Sequence, residues 1–307
     1  MIIKKTMRKM IKEFNEWVST NLDSQKGKTV IITGANSGIG FYTALGLAKL
    51  GANVIVAGRN KERIDEAIQA IKKENISGTV SASILDLASL NSVREFANEF
   101  NNTQTKLDIL INNAGVMMPP ESKTEEGFEL QFGVNFLGHF LLTNLLNNKL
   151  DLTQNSRVVT LSSIAHRGAS IDFGNLRVEK PYDAKREYYQ SKLADLIFAL
   201  ELGRRYEANN NHILSVACHP GFTKTELQRH IDPKILKKMN FMDTWKGSLP
   251  TLLAATNKKA KTGDYYGPDG EGEYSGFPAL GLIDKSALDQ EVAKKLWEVG
   301  IMNTKWD

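Results

Sequence analysis

A glycine-rich turn at residues 33–40 has the residue types that bind a phosphate group. It reads Thr-Gly-Ala-Asn-Ser-Gly-Ile-Gly and leads from a strand-like stretch directly into a helical one. Glycines let the backbone approach a pyrophosphate, and a helix N-terminus directs free N–H groups at the anion. The turn predicts a phosphate site made of Gly34, Asn36, Ser37, Gly38, Ile39 and Gly40. The alternative is a plain strand-to-helix connection, because the spacing is not the Gly-x-Gly-x-x-Gly of the usual dinucleotide fingerprint.

The residues after the second strand-like stretch bear on which dinucleotide would bind. They read Ala57-Gly58-Arg59-Asn60 and offer no carboxylate for a ribose 2′-hydroxyl. The Arg59 guanidinium instead matches a 2′-phosphate. We therefore expect NADP(H) rather than NAD(H), unless Arg59 is merely a solvated residue at a helix start.

A phenol and an amine lie one helical turn apart in the segment 188–192, which reads Tyr-Tyr-Gln-Ser-Lys. An unperturbed tyrosine has a pKa of about 10, so it needs a neighbouring cation to exchange protons near neutral pH. Lys192 lies on the same helix face as Tyr188 and supplies that charge. Such a pair often arises by chance, and its position after the fifth predicted strand is what makes it informative.

Taken in order along the chain, these segments resemble the short-chain dehydrogenase/reductase family. Asn112-Asn113-Ala114-Gly115 follows the fourth predicted strand, and Ser162-Ser163 follows the fifth. The resemblance extends from about Lys28 to the end. The segments 132–140, 219–221, 266–270 and 296–298 are most similar to the branch with retinol dehydrogenases, protochlorophyllide reductases, WW-domain oxidoreductases and related bacterial oxidoreductases.

The family resemblance implies four catalytic residues, which are Asn135, Ser163, Tyr188 and Lys192. Tyr188 would exchange a proton with the substrate oxygen, and Ser163 would donate a hydrogen bond to that oxygen. Lys192 would also bind the nicotinamide ribose. Asn135 would hold a water that links Lys192 to solvent, although it could equally be an ordinary polar residue of a helix.

The resemblance also implies further cofactor contacts beyond the glycine-rich turn. Asp86 and Leu87 would meet the adenine. Pro220, Gly221, Thr223 and Thr225 would fix the nicotinamide amide, although Thr225 could simply cap a helix. The remaining implied cofactor contacts are Asn113, Ala114, Gly115, Tyr188 and Lys192.

Strands and helices must alternate to bring these residues together. Apolar runs predict strands at 29–33, 53–57, 80–85, 107–111, 157–161 and 213–217, and helical patterns lie at 39–50, 61–74, 90–100, 127–148 and 188–208. This alternation predicts an α/β fold with a parallel sheet flanked by helices, a single doubly wound Rossmann domain over 28–307. Ligands in such sheets bind beyond the carboxyl ends of the strands, where the named residues fall.

The first 27 residues form an amphipathic extension. Its apolar residues repeat at helical spacing between lysines and are Ile3, Met7, Met10, Ile11, Phe14, Trp17 and Val18. The pattern predicts a helix packed on the protein's own body, with peripheral contact to a membrane surface as the alternative. No apolar run is long enough to predict a membrane span.

Composition excludes several other classes of protein. The chain has 307 residues, a net charge of +4 and one cysteine, Cys218, so a disulfide scaffold and a nucleic-acid partner are not indicated. The five histidines show no metal-binding spacing, and we expect no metal site. A single cysteine favours a reducing, cytoplasmic setting.

The sequence therefore predicts an NADP(H)-dependent oxidoreductase that interconverts a carbonyl compound and an alcohol. A lid at about 222–250 carries apolar residues that suit an apolar substrate or pack as an ordinary helix, namely Leu227, Ile231, Ile235, Leu236, Met239, Phe241, Met242 and Trp245. The competing function is a non-catalytic NADP(H)-binding redox sensor or scaffold. A homodimer through the helix of Tyr188 is favoured over a monomer.

Overall fold

An eight-stranded sheet forms the centre of the protein. The structure is a computed structural model that describes residues 2–306, with side chains described from residue 9 onward. The strands are β1 Thr29–Thr33, β2 Asn53–Gly58, β3 Thr79–Ile84, β4 Ile109–Asn112, β5 Arg157–Leu161, β6 Leu214–Cys218, β7 Tyr265–Pro268 and β8 Pro278–Leu280. Their order is β3-β2-β1-β4-β5-β6-β7-β8, and every neighbouring pair is parallel except β7 and β8. The predicted doubly wound α/β fold is confirmed.

Continuous apolar runs form the central strands because both faces of the sheet are covered. In β1, the side chain of Ile31 packs into one core while Val30 and Ile32 pack into the other, and all three are fully buried. Alternating side chains of one strand thus supply two separate cores.

Helices cover both faces of the sheet. The helices are α1 Ile2–Asn21, α2 Gly38–Lys49, α3 Lys61–Lys72, α4 Leu90–Thr103, α5 Gly138–Leu145, α6 Asn147–Asp151, α7 Ala184–Ala208, α8 Pro233–Leu236, α9 Thr244–Gly247, α10 Leu249–Thr256 and α11 Gln290–Thr304. Buried side chains of α1, α2, α3 and α10 pack into the core with Ile32, and those of α4, α5, α7 and α11 pack into the core with Ile31.

The structure corrects three predicted elements. The sequence predicts no strand in the stretch 263–276, whose five glycines and one proline are typical of turns, but the structure has strand β7 there. The helix predicted at 127–148 is divided into a π-helical segment, Phe132–Leu137, followed by α5 and α6. Helix α7 begins at Ala184 rather than residue 188, because the Asp183 carboxylate accepts hydrogen bonds from the backbone N–H groups of Lys185 and Arg186, each at 3.0 Å.

The N-terminal helix α1 packs on the body of the protein. Phe14 is fully buried, and its ring contacts Tyr42 of α2 edge-on at a centroid distance of 5.3 Å. Trp245, expected in the lid, instead lies in this core with its ring 6.3 Å from that of Phe14. The side chains of Ile3 and Met7 lie outside the described residues. No helix in the described part of the chain is both long and apolar enough to cross a membrane.

The C-terminal helix α11 lies on α5 and α7. Trp297 stacks on Phe198 of α7 at 6.0 Å and meets Phe140 of α5 edge-on at 5.0 Å. The predicted homodimer through α7 stays a prediction, and such pairing would have to accommodate α11.

Substituting Phe14 tests whether α1 belongs to the folded core. Phe14→Ala removes a fully buried ring between α2 and Trp245, so we expect a loss of about 3–5 kcal/mol in the free energy of unfolding, measured by urea denaturation. Lys12→Ala, at an exposed position of the same helix, is the matched control. Equal stability of the two variants would show that α1 does not contribute to the core.

Candidate active site

Thr33, at the end of β1, fixes the two backbone segments that form the floor of the site. Its hydroxyl oxygen accepts hydrogen bonds from the N–H groups of Asn113 and Ala114, both at 2.9 Å. The Asn113 side-chain amide donates back to the Thr33 carbonyl at 2.6 Å. These bonds hold the glycine-rich turn beside the segment that follows β4.

His139, on α5, also binds the side chain of Thr33. Burial lowers the pKa of His139 to about 4, so the ring is neutral. Its Nδ1 donates to the Asn135 carbonyl at 2.8 Å, and its Nε2 therefore accepts from the Thr33 hydroxyl at 2.8 Å. A neutral histidine thus links the π-helical segment to the end of β1.

The glycine-rich turn needs its glycines for two reasons. Gly34 and Gly38 adopt left-handed φ angles of +66° and +59°. A Cβ atom on Gly40 would lie 2.6 Å from the Asn113 amide nitrogen and 2.7 Å from the Gly34 carbonyl oxygen. The first turn of α2 therefore packs tightly on the neighbouring backbone, and Gly38, Ile39 and Gly40 line the cavity.

One cavity of about 1280 Å³ runs along the carboxyl ends of the strands. Every residue predicted to bind cofactor lines it. These residues are Gly34, Asn36, Ser37, Gly38, Ile39, Gly40, Arg59, Asp86, Leu87, Asn113, Ala114, Gly115, Tyr188, Lys192, Pro220, Gly221, Thr223 and Thr225. Of the predicted catalytic residues, Ser163 also lines the cavity, and Asn135 does not.

Asn135 lies behind the cavity wall and holds it in place. Its side-chain carbonyl accepts from the Val116 N–H at 2.8 Å. Its amide donates to the Val116 carbonyl at 3.1 Å and to the Ser191 hydroxyl at 2.9 Å. The fully buried side chain thereby connects the segment after β4 to α7. Its predicted role in holding a water stays a prediction.

Arg59 lies exposed at the outer end of the cavity. Its neighbour Asn60 caps α3, since the Asn60 side-chain oxygen Oδ1 accepts a hydrogen bond from the Arg63 N–H at 2.8 Å. The Arg63 guanidinium pairs with Glu226 of the lid at 3.1 Å, whereas Arg59 makes no ion pair with a described residue. Its guanidinium is thus available to an anion on the ligand.

Tyr188 and Ser163 meet inside the cavity. Burial raises the pKa of Tyr188 above its usual 10, while the Lys192 ammonium and a hydrogen bond with the Ser163 side chain lower it. The neighbouring Ser162 hydroxyl points away and donates to the Lys192 carbonyl at 2.7 Å. Of the two adjacent serines, Ser163 is therefore the one placed beside the phenol.

Lys192 is buried and held by two partners. Its ammonium donates to the Leu161 carbonyl at 3.1 Å and to the Asp195 carboxylate at 2.8 Å. Sequence reasoning missed Asp195, although an acidic residue three positions after Lys192 within an apolar helical stretch was an available signal. The ion pair keeps the lysine charged beside Tyr188.

Part of the cavity wall is apolar. Five residues of the predicted lid line it, namely Leu227, Ile231, Ile235, Met239 and Phe241, whereas Leu236 and Met242 do not. Sequence reasoning did not assign several other lining residues, among them Met117, Met118, Arg167, Phe222 and Tyr274. No single local motif marks these residues, because they converge from separate loops.

A charged cluster anchors the loop that contains Pro220. Glu273 binds the His219 ring at 2.7 Å and the Arg167 guanidinium at 2.7 Å. The Arg167 guanidinium, which lines the cavity, is thus already paired. Among residues 2–306, no group of three or more His, Cys, Asp or Glu side chains is arranged to hold a metal ion.

Comparisons with known proteins agree with this geometry. The family described as short chain dehydrogenase matches residues 28–235. The chain belongs to the short-chain dehydrogenase family. It is 45% identical to retinol dehydrogenase 13 of Homo sapiens over 278 residues, which cover 88% of this chain and 82% of that protein. Polyprenol dehydrogenase of Mus musculus is 38% identical over 295 residues, 92% of this chain and 85% of that protein.

A solved structure supports the same assignment. A crystal structure from Mycobacterium Paratuberculosis superposes with a TM-score of 0.80 at 37% identity, covering 95% of this chain and 98% of that one. The family resemblance noted from the motifs is confirmed, and the chain is an oxidoreductase of this family.

Glu129 lies buried just before the π-helical segment. Its carboxylate accepts from the Phe132 N–H at 2.7 Å, while its other oxygen, Oε1, has no protein partner. Burial raises the pKa of Glu129 to about 7, and the charge of Glu187 adds to this.

Glu129→Gln is expected to change how stability depends on pH. The raised pKa means that the folded protein binds a proton more tightly than the unfolded chain, so this group lowers stability as pH rises from about 4.5 to 7. The variant should lose less stability than the wild type between pH 5 and 8, by up to about 3 kcal/mol in urea denaturation. Glu121→Gln, at an exposed position, is the control. If the free energy of unfolding depended on pH in the same way in all three proteins, the raised pKa of Glu129 would be contradicted.

Proposed function

We propose that the protein is an NADP(H)-dependent oxidoreductase that interconverts a carbonyl compound and an alcohol, with an apolar substrate. The observation that carries the proposal is the convergence of Ser163, Tyr188 and Lys192 on one cavity that also contains the glycine-rich turn. The bound cofactor would supply the hydride. The protein would hold the substrate beside the cofactor, and it would supply a proton and hydrogen bonds to the substrate oxygen.

The residues present fit a dinucleotide with a 2′-phosphate. Gly34 and Gly40 let the glycine-rich turn pack closely against Asn113 and Ala114, since a Cβ atom on either glycine would collide with protein atoms. The turn lines the cavity at the start of α2, and a helix N-terminus is suited to bind a pyrophosphate. Gly58 offers no carboxylate to repel a 2′-phosphate, and the Arg59 guanidinium next to it is exposed at the cavity mouth. These features support NADP(H) as the preferred cofactor.

Tyr188 is suited to give a proton to a carbonyl oxygen. Burial keeps the phenol protonated, and Ser163 lies beside it, where its hydroxyl can donate a second hydrogen bond to the same oxygen. As that oxygen takes the proton, the Lys192 ammonium stabilises the phenolate that remains. In the reverse direction the same phenolate removes the proton from an alcohol.

The apolar end of the cavity supports an apolar substrate. Met117, Phe222, Ile231 and Phe241 line the same cavity as Tyr188, and the Arg167 guanidinium, which also lines it, is already paired with Glu273. The names of the similar proteins, retinol dehydrogenase and polyprenol dehydrogenase, point to isoprenoid alcohols. We propose compounds of this chemical class as the first to test.

Tyr188→Phe tests the proposed chemistry. The wild type should reduce carbonyl compounds from a panel of aliphatic, aromatic and isoprenoid compounds with NADPH. The kcat of the variant should be at least about a hundredfold lower, because its phenyl ring has no proton to give. NADPH affinity, measured by fluorescence, should change little.

Tyr189→Phe is the matched control, because Tyr189 is the adjacent tyrosine on the cavity wall. It should keep most of the activity. Tight NADPH binding by the wild type without turnover of any compound would instead favour a non-catalytic redox sensor or scaffold.

Arg59→Ala tests the cofactor preference. Losing a charged hydrogen bond to a 2′-phosphate should weaken NADPH binding by about ten- to a hundredfold. NADH binding should hardly change. Lys61→Ala, an exposed cation two positions away, is the control, and a wild type that prefers NADH would contradict the role of Arg59.

A further inference from the structure

The ion pair between Lys192 and Asp195 lies in the core of the active site. The two side chains retain 6% and 3% of their exposure, and the Nζ–Oδ2 distance is 2.8 Å. Asp195 does not line the cavity, so its carboxylate binds Lys192 from behind while the ammonium faces the cavity. Within the described part of the chain, Asp195 makes no other ion pair.

The other titratable groups that face Lys192 carry no charge near neutral pH. Burial raises the pKa of Cys218, on β6, to about 12. Burial lowers the pKa of His139, on the helix after β4, to about 4. Tyr188, on the same helix as Lys192, has a pKa raised above 10 by burial. Among the described residues, Asp195 is thus the one anion that faces the buried ammonium.

A buried ammonium without an anion would lose its proton more easily. Burial by itself lowers the pKa of Lys192, and the charge and hydrogen bond of Asp195 raise it above its usual value. Burial also raises the pKa of Asp195 to about 7, so the carboxyl group loses its proton as the pH rises through this value and the ion pair then forms. The Leu161 carbonyl accepts a hydrogen bond from the amine but adds no full charge.

We propose that Asp195 is a positioning residue that keeps Lys192 protonated and directed at the cofactor ribose and Tyr188. This inference rests on the proposed function, since it deepens the role of Lys192 in that site. Asp195 acts through Lys192 and touches neither the substrate nor the cofactor.

Asp195→Asn is the test, because the amide keeps the shape and one hydrogen-bond acceptor but removes the charge. NADPH affinity is measured by fluorescence from pH 7.5 to 9.5. The wild type should bind equally well across this range. In the variant, NADPH affinity should fall about tenfold as the pH rises, because Lys192 becomes neutral and loses its charged hydrogen bond to the ribose. In Asp195→Glu, which retains the charge, affinity should again be independent of pH.

Thermal stability of the cofactor-free protein gives a second readout. In Asp195→Asn the folded pKa of Lys192 falls below its unfolded value, so the unfolded chain binds the proton more tightly. Stability should then rise with pH over 7.5 to 9.5. The wild type should show no such rise, because Asp195 holds the folded pKa of Lys192 high.

Glu201→Gln is the matched control, since Glu201 is a second acidic residue of α7 that pairs with arginines, Arg204 and Arg205. It should behave as the wild type in both measurements. If Asp195→Asn also matches the wild type in both, the inference is overturned. A wild-type protein that binds NADPH but reduces no carbonyl compound would overturn the proposed function. In that case the pH profiles of NADPH affinity and of thermal stability would still test the role of Asp195.

Discussion

A buried positive charge is the constraint on which the active site depends. Transferring the Lys192 ammonium out of water is costly unless an anion and hydrogen bonds compensate it. Asp195 and the Leu161 carbonyl provide them from α7 itself and from the end of β5. The charge can then act on Tyr188, one helical turn away, where it opposes the effect of burial on the phenol. The electrostatic environment of the phenol therefore depends on how α7 packs against the sheet.

The strand ends set the distances on which this chemistry relies. Thr33 joins the end of β1 to the segment after β4 through its hydroxyl group. Neutral His139 and the amide of Asn135 extend the same network to the π-helical segment and to α7. The glycine-rich turn, the segment after β4 and α7 thus form one connected unit. The charged cluster around Glu273 fixes the Pro220 loop on the opposite side.

Local sequence patterns are sufficient to predict most of the strands and the glycine-rich turn. Short β-rich runs, most of them apolar, predict β1 to β6, and the glycine-rich turn predicts a phosphate site. Strand β7 is missed because its four residues include a glycine and a proline, which indicate a turn. Trp245 is assigned to the lid because local spacing cannot show that α1 covers it. Asp195 is missed for a related reason, since only the packed helix shows that no other anion of the described residues faces Lys192.

The charge on Lys192 lowers the pKa of Tyr188, and the proposed chemistry depends on this effect. It is tested by the pH dependence of kcat for alcohol oxidation in the wild type and in Lys192→Met, at saturating cofactor. We predict that the kinetic pKa moves to higher pH in the variant, because the cation that favours the phenolate is gone. A variant that remains active with the wild-type kinetic pKa would contradict it.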